Sequence, residues 1–324
     1  MSLDAGSIVE RRRLRRRVSF WRVSALVLLA ALIVAVGLRT TGILPGKTSA
    51  HVARVNLNGV IMGSDRRQKL LEEVAKEDGA KAVLIEIDSP GGGVTASEEL
   101  YNDIRKIAEK KPVVAVVGSV AASGGYIAAI ATDRIIARQT SLTGSIGVLA
   151  QYPDLSGLLS NLGVKMEAVK SAPLKAAPDM FKETTPEERA ALEALIMDSF
   201  AWFKNLVSER RGLSGARLET VADGRAFTGR QALELGLVDE IGGEDEARAW
   251  LADNRQISKD LPVRDWKASS DTLGELGLAR SALAGLADAA GFPTVGASLR
   301  ATSSLMDVHA LDGLLAIWHP SIQR

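Results

Sequence analysis

The chain has 324 residues, of which 46% are hydrophobic and 24% charged, with a formal net charge of +1. This is an ordinary globular balance for one large or two small domains, and nothing in it recruits a polyanion such as nucleic acid. There is no cysteine and there are three histidines, His51, His309 and His319, which excludes disulfides, thiolate metal sites and a cysteine nucleophile.

Charge is concentrated at the start of the chain. Arginines at 11–13 and 15–17 precede an uncharged apolar run from Val23 to Leu38. As a helix that run spans roughly 24 Å at about 1.5 Å per residue, slightly less than the roughly 30 Å of a bilayer core. Phe20, Trp21, Ile43 and Leu44 lengthen it at its two ends. Arginines before the run, with few basic residues just after it, orient the N-terminus inward and the body outward. The chain thus divides into a basic cytoplasmic segment (1–22), a transmembrane anchor (23–38), a linker (39–50), a body (51–253) and a C-terminal tail (254–324). A cleaved signal peptide is the competing reading, with Thr48, Ser49 and Ala50 as a weak cleavage site.

His51–Leu57 reads as a strand that ends in an Asn58-Gly59 turn. A helix over about 65–77, a strand over 82–87, a helix over about 95–110 and a strand over 112–117 follow. This β-α-β order predicts parallel pairing with right-handed crossovers. Next come a short helix ending near Thr132, strands over 134–137 and 146–149, a helix over 154–162 and a strand over 164–169. Thr185, Pro186, Glu187 and Glu188 form a capping box with proline at the first helical position. Leu192, Leu195, Ile196, Phe200, Phe203, Leu206 and Val207 then recur at helical spacing until Gly212 closes the helix. Strands alternating with helices predict an α/β layered domain. The segment from about Ile257 is left unassigned.

Two glycine-bearing turns carry the chemistry. Gly91-Gly92-Gly93 follows a strand and precedes a helix, either as a plain tight turn or as a loop whose N–H groups face an anion. No Gly-Lys-Ser/Thr follows it, so it is not a P-loop, and the dinucleotide fingerprint is absent too. Ser123-Gly124-Gly125 sits where the next helix begins. Ser123 there is either a helix N-cap or a nucleophile with the Gly124 N–H beside it. Both turns fall at the carboxyl ends of neighbouring parallel strands, where α/β sheets place their sites.

A serine nucleophile needs a base. His51 opens the first strand and the other two histidines lie in the tail, so a lysine is the economical choice. Lys106, Lys110, Lys111, Lys165, Lys170, Lys175 and Lys182 are available. Lys175 stands out in an apolar loop bounded by Pro173 and Pro178, because an apolar surround favours the neutral amine. The alternative for Lys175 is an ordinary solvated loop lysine.

At the level of motifs the chain resembles the signal peptide peptidase (SppA, protease IV) family. The residues that carry the likeness are Asp88–Val94, Ala121–Tyr126, Leu142–Gly147, Ala222–Arg225, Gly229–Ala232 and Gly236–Asp239, within a stretch from about His51 to Gly243. It is similar to the short, single-domain form with an N-terminal anchor. The resemblance implies a ClpP/crotonase-like α/β fold of repeated β-β-α units and a Ser/Lys dyad, making 51–253 a Ser/Lys peptidase domain. It implies Ser123 as nucleophile, Lys175 as general base, Ser145 as the residue orienting the lysine, and the N–H groups of Gly92 and Gly124 as the oxyanion hole. Ala172 stands where many members have glycine. No cofactor or metal is implied. The implied partners are peptide substrates such as signal peptide remnants, the bacterial inner membrane, and copies of the same chain. Those copies form a dome-like octamer with the dyad shared between neighbours and the catalytic domain on the extracytoplasmic side. A stomatin-type membrane Ser/Lys protease, a crotonase-like acyl-CoA enzyme and a non-catalytic membrane scaffold of the same fold are the alternatives.

Overall fold

The computed structural model describes residues 49–268 and 315–317. The basic segment and the 23–38 run lie outside the described residues, as does most of the tail. Among the described residues no helix is long and apolar enough to cross a membrane.

β1 (His51–Asn58), α1 (Asp65–Lys76) and β2 (Ala80–Ser89) open the body, and β3 (Gly91–Gly93), α2 (Val94–Ala108) and β4 (Val113–Ala122) continue it. There follow α3 (Gly124–Ile130), β5 (Arg134–Ala137), β6 (Leu142–Gly144), α4 (Ser156–Asn161) and α5 (Pro186–Arg211). The remainder is α6 (Gly215–Val221), β7 (Ala226–Thr228), α7 (Gly229–Glu234), β8 (Glu240–Ile241), α8 (Glu244–Arg255), β9 (Val263–Trp266) and β10 (Leu315–Ile317).

The main sheet runs β7-β6-β4-β2-β1-β9, with β5 and β8 branching from β4. Every pair in it is parallel except β6 with β7. β1, β2 and β4 are mostly buried, as expected of strands covered on both faces by helices. Ile85, Ile87, Ala115 and Val117 pack under Leu100, Ile104, Ile127 and Ile130. Burying each such aliphatic side chain is worth about 1.5–3 kcal/mol. The other face of β2 and β4 is closed by Ala247 and Leu251 of α8.

The β2–β4 ladder is irregular near its carboxyl end. Ile87 faces Val117 but Ser89 faces Ala121, so β4 carries two extra residues, Gly118 and Ser119. The Asp88 carboxylate accepts the Val120 N–H at 3.2 Å and holds this bulge. Below the bulge β4 pairs with β5, and above it with β6. A bulge re-aims the strand that carries it, here toward its end at Ala122.

Several expectations are met. The β-α-β order is parallel, and Thr185 and Glu188 make both hydrogen bonds of the capping box. Gly212 closes α5 in the left-handed conformation at φ 63°. Others are corrected. Neither 146–149 nor 164–169 is a strand; β6 instead occupies 142–144, and residues 164–169 form an exposed loop that pairs with no strand among the described residues. The apolar face expected of α5 is buried only at Phe203 and Val207, while Leu195 and Met197 are exposed. The segment left unassigned contributes β9, which pairs with β1. Its Trp266 donates Nε1–H to Nε2 of the buried His51 at 3.0 Å and stacks on it.

Candidate active site

Ser123 follows the last residue of β4 and stands at the head of α3 with φ 55° and ψ −117°. A non-glycine residue at positive φ costs of order 1–3 kcal/mol and persists only where its surroundings impose it. Here they do. Its N–H is held by the Gly144 carbonyl at 2.8 Å, and its own carbonyl accepts the N–H groups of Tyr126 and Ile127 at 2.9 Å each. Behind it, α3 is wholly buried from Gly124 to Ile130. Tyr126 donates its hydroxyl to the Leu237 carbonyl at 2.8 Å, and burial pushes its phenol well above the ordinary range.

The helix can start this close to the neighbouring turn because residue 125 is glycine: a Cβ there would lie 2.6 Å from the Ser89 carbonyl oxygen. The buried Ser89 hydroxyl in turn accepts the Gly91 N–H at 3.1 Å and fixes the second turn. Gly92 is pressed against Ile61, whose carbonyl oxygen a Cβ would meet at 1.8 Å. No other residue fits at either place. The Gly91–Gly93 strand therefore lies against α3, beside the serine.

Ser145 occupies the equivalent position on the adjacent strand. Ala122 pairs with Gly144 in the β4–β6 ladder, so Ser123 and Ser145 are the next residue of each strand. Ser145 is also at positive φ, 50°, and its N–H is held by the Arg225 carbonyl at 2.9 Å. Ser123 and Ser145 are 1% and 7% exposed. The structure thus gathers Ser123, Gly124, Ser145 and the Gly92 strand at one end of the sheet.

It does not gather the lysine. Lys175 lies in the loop between α4 and α5, exposed, after a tight turn in which its N–H reaches the Ala172 carbonyl. Ala176 next to it has φ 59°. Among the described residues, no hydrogen bond or ion pair joins Lys175 to Ser123. Five residues earlier, Lys170 behaves differently: its Nζ is shielded from solvent and meets no hydrogen-bond partner. The sequence offered Lys170 as one of seven candidates and had no signal for its burial. Asp88 and Ser89, which fix the bulge and the glycine turn, stand in the sequence as part of the Asp88–Val94 motif, without a signal for these contacts. The loop around both lysines exposes Val164, Met166, Val169, Leu174 and Phe181.

Comparison with known proteins points to a family of proteases. The model of peptidase family S49 matches residues 105–258, and that of Clp protease matches residues 64–142, so the α/β sheet is of the Clp protease kind. A putative protease of Synechocystis is 41% identical over 211 residues, covering 64% of this chain and 76% of the relative. A putative protease of Methanocaldococcus jannaschii is 38% identical, covering 58% of this chain and 61% of the relative. A putative signal peptide peptidase SppA of Enterococcus faecium is 31% identical, covering 71% of this chain and 70% of the relative. With this likeness extending over most of the length of two relatives, the chain belongs to peptidase family S49 and is an SppA-like serine protease.

Proposed function

We propose that the protein is a membrane-anchored endopeptidase in which Ser123 is the nucleophile and a lysine the general base, and that it degrades cleaved signal peptides and other apolar peptides. The observation that carries this reading is the strained Ser123 at the head of α3, locked by the Gly144 carbonyl and set beside the Gly91–Gly93 strand. In the reaction, the neutral lysine amine takes the hydroxyl proton as Oγ attacks the scissile carbonyl carbon. The oxyanion faces the N–H groups of Gly92 and Gly124. The protonated lysine then delivers its proton to the leaving amine, and water releases the acyl group from Ser123.

Lys175 is the base in this reading and Ser145 orients it. In a single protomer Lys175 is exposed, and the apolar loop that carries it is exposed too. A neighbouring copy packed on that loop would bury both, which favours a homo-oligomer, an octamer by resemblance, with the dyad shared between subunits. A second reading has one observation in its favour: Lys170 is already a shielded amine without a partner, and it takes the base role if the dyad is completed within one chain. Anchoring in the bacterial inner membrane, with an extracytoplasmic domain, rests on the arginine cluster and the 23–38 run. The test is hydrolysis of an apolar peptide by the full chain in detergent. Wild type turns over and Ser123→Ala does not; equal turnover by the two removes Ser123 from the reaction.

A further inference from the structure

The Ala222–Arg225 segment joins α6 to β7 as a tight turn. Asp223 Oδ1 accepts the Arg225 N–H at 3.1 Å, and Oδ2 meets the Arg225 guanidinium. Between them Gly224 lies at φ 88°, which glycine adopts without steric cost. A short side chain that binds the backbone two residues on is a standard way of fixing such a turn. The ion pair adds little to it, because the Arg225 side chain is 67% exposed and exposed pairs are weak.

From this turn the chain enters β7, which is three residues long and lies at the edge of the main sheet. β7 runs antiparallel to β6, with Thr143 opposite Phe227 and Gly144 opposite Ala226. The Arg225 carbonyl extends this ladder by one bond and accepts the Ser145 N–H at 2.9 Å. On the other side of β6, the Gly144 carbonyl accepts the Ser123 N–H at 2.8 Å. Three hydrogen bonds therefore run in series from the Asp223 carboxylate to both serines. Each serine is held at positive φ, a conformation that persists only where the surroundings impose it. So short an edge strand has little of its own to aim the Arg225 carbonyl, which leaves that task to the turn.

We propose that Asp223 is a positioning residue of the active site. Its carboxylate closes the turn that aims the Arg225 carbonyl, and that carbonyl holds Ser145 and, through Gly144, Ser123. The proposal rests on the reading of Ser123 as nucleophile with Ser145 beside the base. Asp223 acts through backbone alone, so its acceptor oxygen matters and its charge does not, and asparagine serves in its place. The loss falls on the alignment of the reacting groups and not on the hold on the peptide, so it appears in kcat and not in KM. A misplacement of about 1 Å costs up to about 100-fold, and loss of this one remote bond is expected to lower kcat about tenfold.

The experiment compares the full chain in detergent as wild type, Asp223→Ala, Asp223→Asn and Ser123→Ala. Hydrogen exchange is followed in the peptide spanning Leu142–Gly147, and kcat and KM are measured for an apolar peptide. The expected result for Asp223→Ala is faster exchange there and a kcat about tenfold lower, with KM within about twofold of wild type. Asp223→Asn restores both exchange and kcat. Exchange and kcat both unchanged in Asp223→Ala overturn the proposal. An equal fall in Asp223→Asn also overturns it, because the charge and not the turn would then be what matters. Wild type no faster than Ser123→Ala removes the nucleophile reading instead. Exchange in Asp223→Ala and Asp223→Asn then still decides whether the turn holds Ser145, so the two failures are told apart.

Discussion

The Gly144 carbonyl, one residue before Ser145, accepts the Ser123 backbone N–H at 2.8 Å. That single bond ties the ends of two parallel strands together and holds Ser123 at φ 55°. Glycine adopts such a conformation without steric cost. Ser123→Gly is therefore expected to raise unfolding stability by about 1 kcal/mol while lowering peptide turnover at least about 10³-fold. Thermal denaturation alongside an activity assay reads both. A less stable Ser123→Gly protein would show that the serine conformation is not strained.

Gly125 lies against the Ser89 carbonyl, which a Cβ would meet at 2.6 Å. Backbone cannot yield there as a flexible side chain does, so Gly125→Ala is expected to cost about 1–3 kcal/mol and to displace the head of α3. Chemical denaturation checks the first effect. Turnover under conditions where the variant remains folded checks the second, and should fall as well.

The position of the lysine decides how the site is assembled. If Lys175 acts across a subunit boundary, Ser123→Ala and Lys175→Ala are each inactive, and co-assembly of the two restores part of the wild-type turnover. One subunit then supplies the serine and its neighbour the lysine. In that arrangement Lys170→Met retains activity. Activity lost only in Lys170→Met, with Lys175→Ala still active, assigns the base to the shielded amine within one chain.

Much of the fold was legible because its signals are local. The capping box at Thr185 and Glu188, the two glycine turns and the parallel β-α-β order each follow from a few adjacent residues. Ser123 and Gly124 were placed by the same turn chemistry. The misses have a different origin. Val164–Val169 alternates well enough to resemble a strand, yet among the described residues it pairs with none and stays exposed. β6 is three residues long and exists because β4, beyond its bulge, needs a partner. β9 is fixed by the His51–Trp266 contact across 215 positions of sequence, which no local pattern records. The pairing of β10 with a glycine strand is a relationship of the same long-range kind.

Acid should weaken the start of α5. The Lys182 side chain, and then the Thr185 N–H, hold the Glu188 carboxyl below the usual carboxylate range. A carboxyl depressed in the folded state stabilises above its unfolded pKa, near 4.3, and that contribution is lost as pH falls through the folded value. Glu188→Gln keeps a capping acceptor but no charge. Its melting temperature should fall further below that of wild type at pH about 6 than at pH about 3, and a gap that widens in acid would contradict this.

The most direct test of the central claim is covalent labelling of the full chain by a serine-directed fluorophosphonate, mapped by peptide mass spectrometry and repeated in the two lysine variants. The account predicts one modified residue, Ser123, with labelling that slows sharply when the base lysine is removed. Modification of a different serine, or labelling of Ser123 at an undiminished rate in both Lys175→Ala and Lys170→Met, would contradict a Ser/Lys dyad at this site.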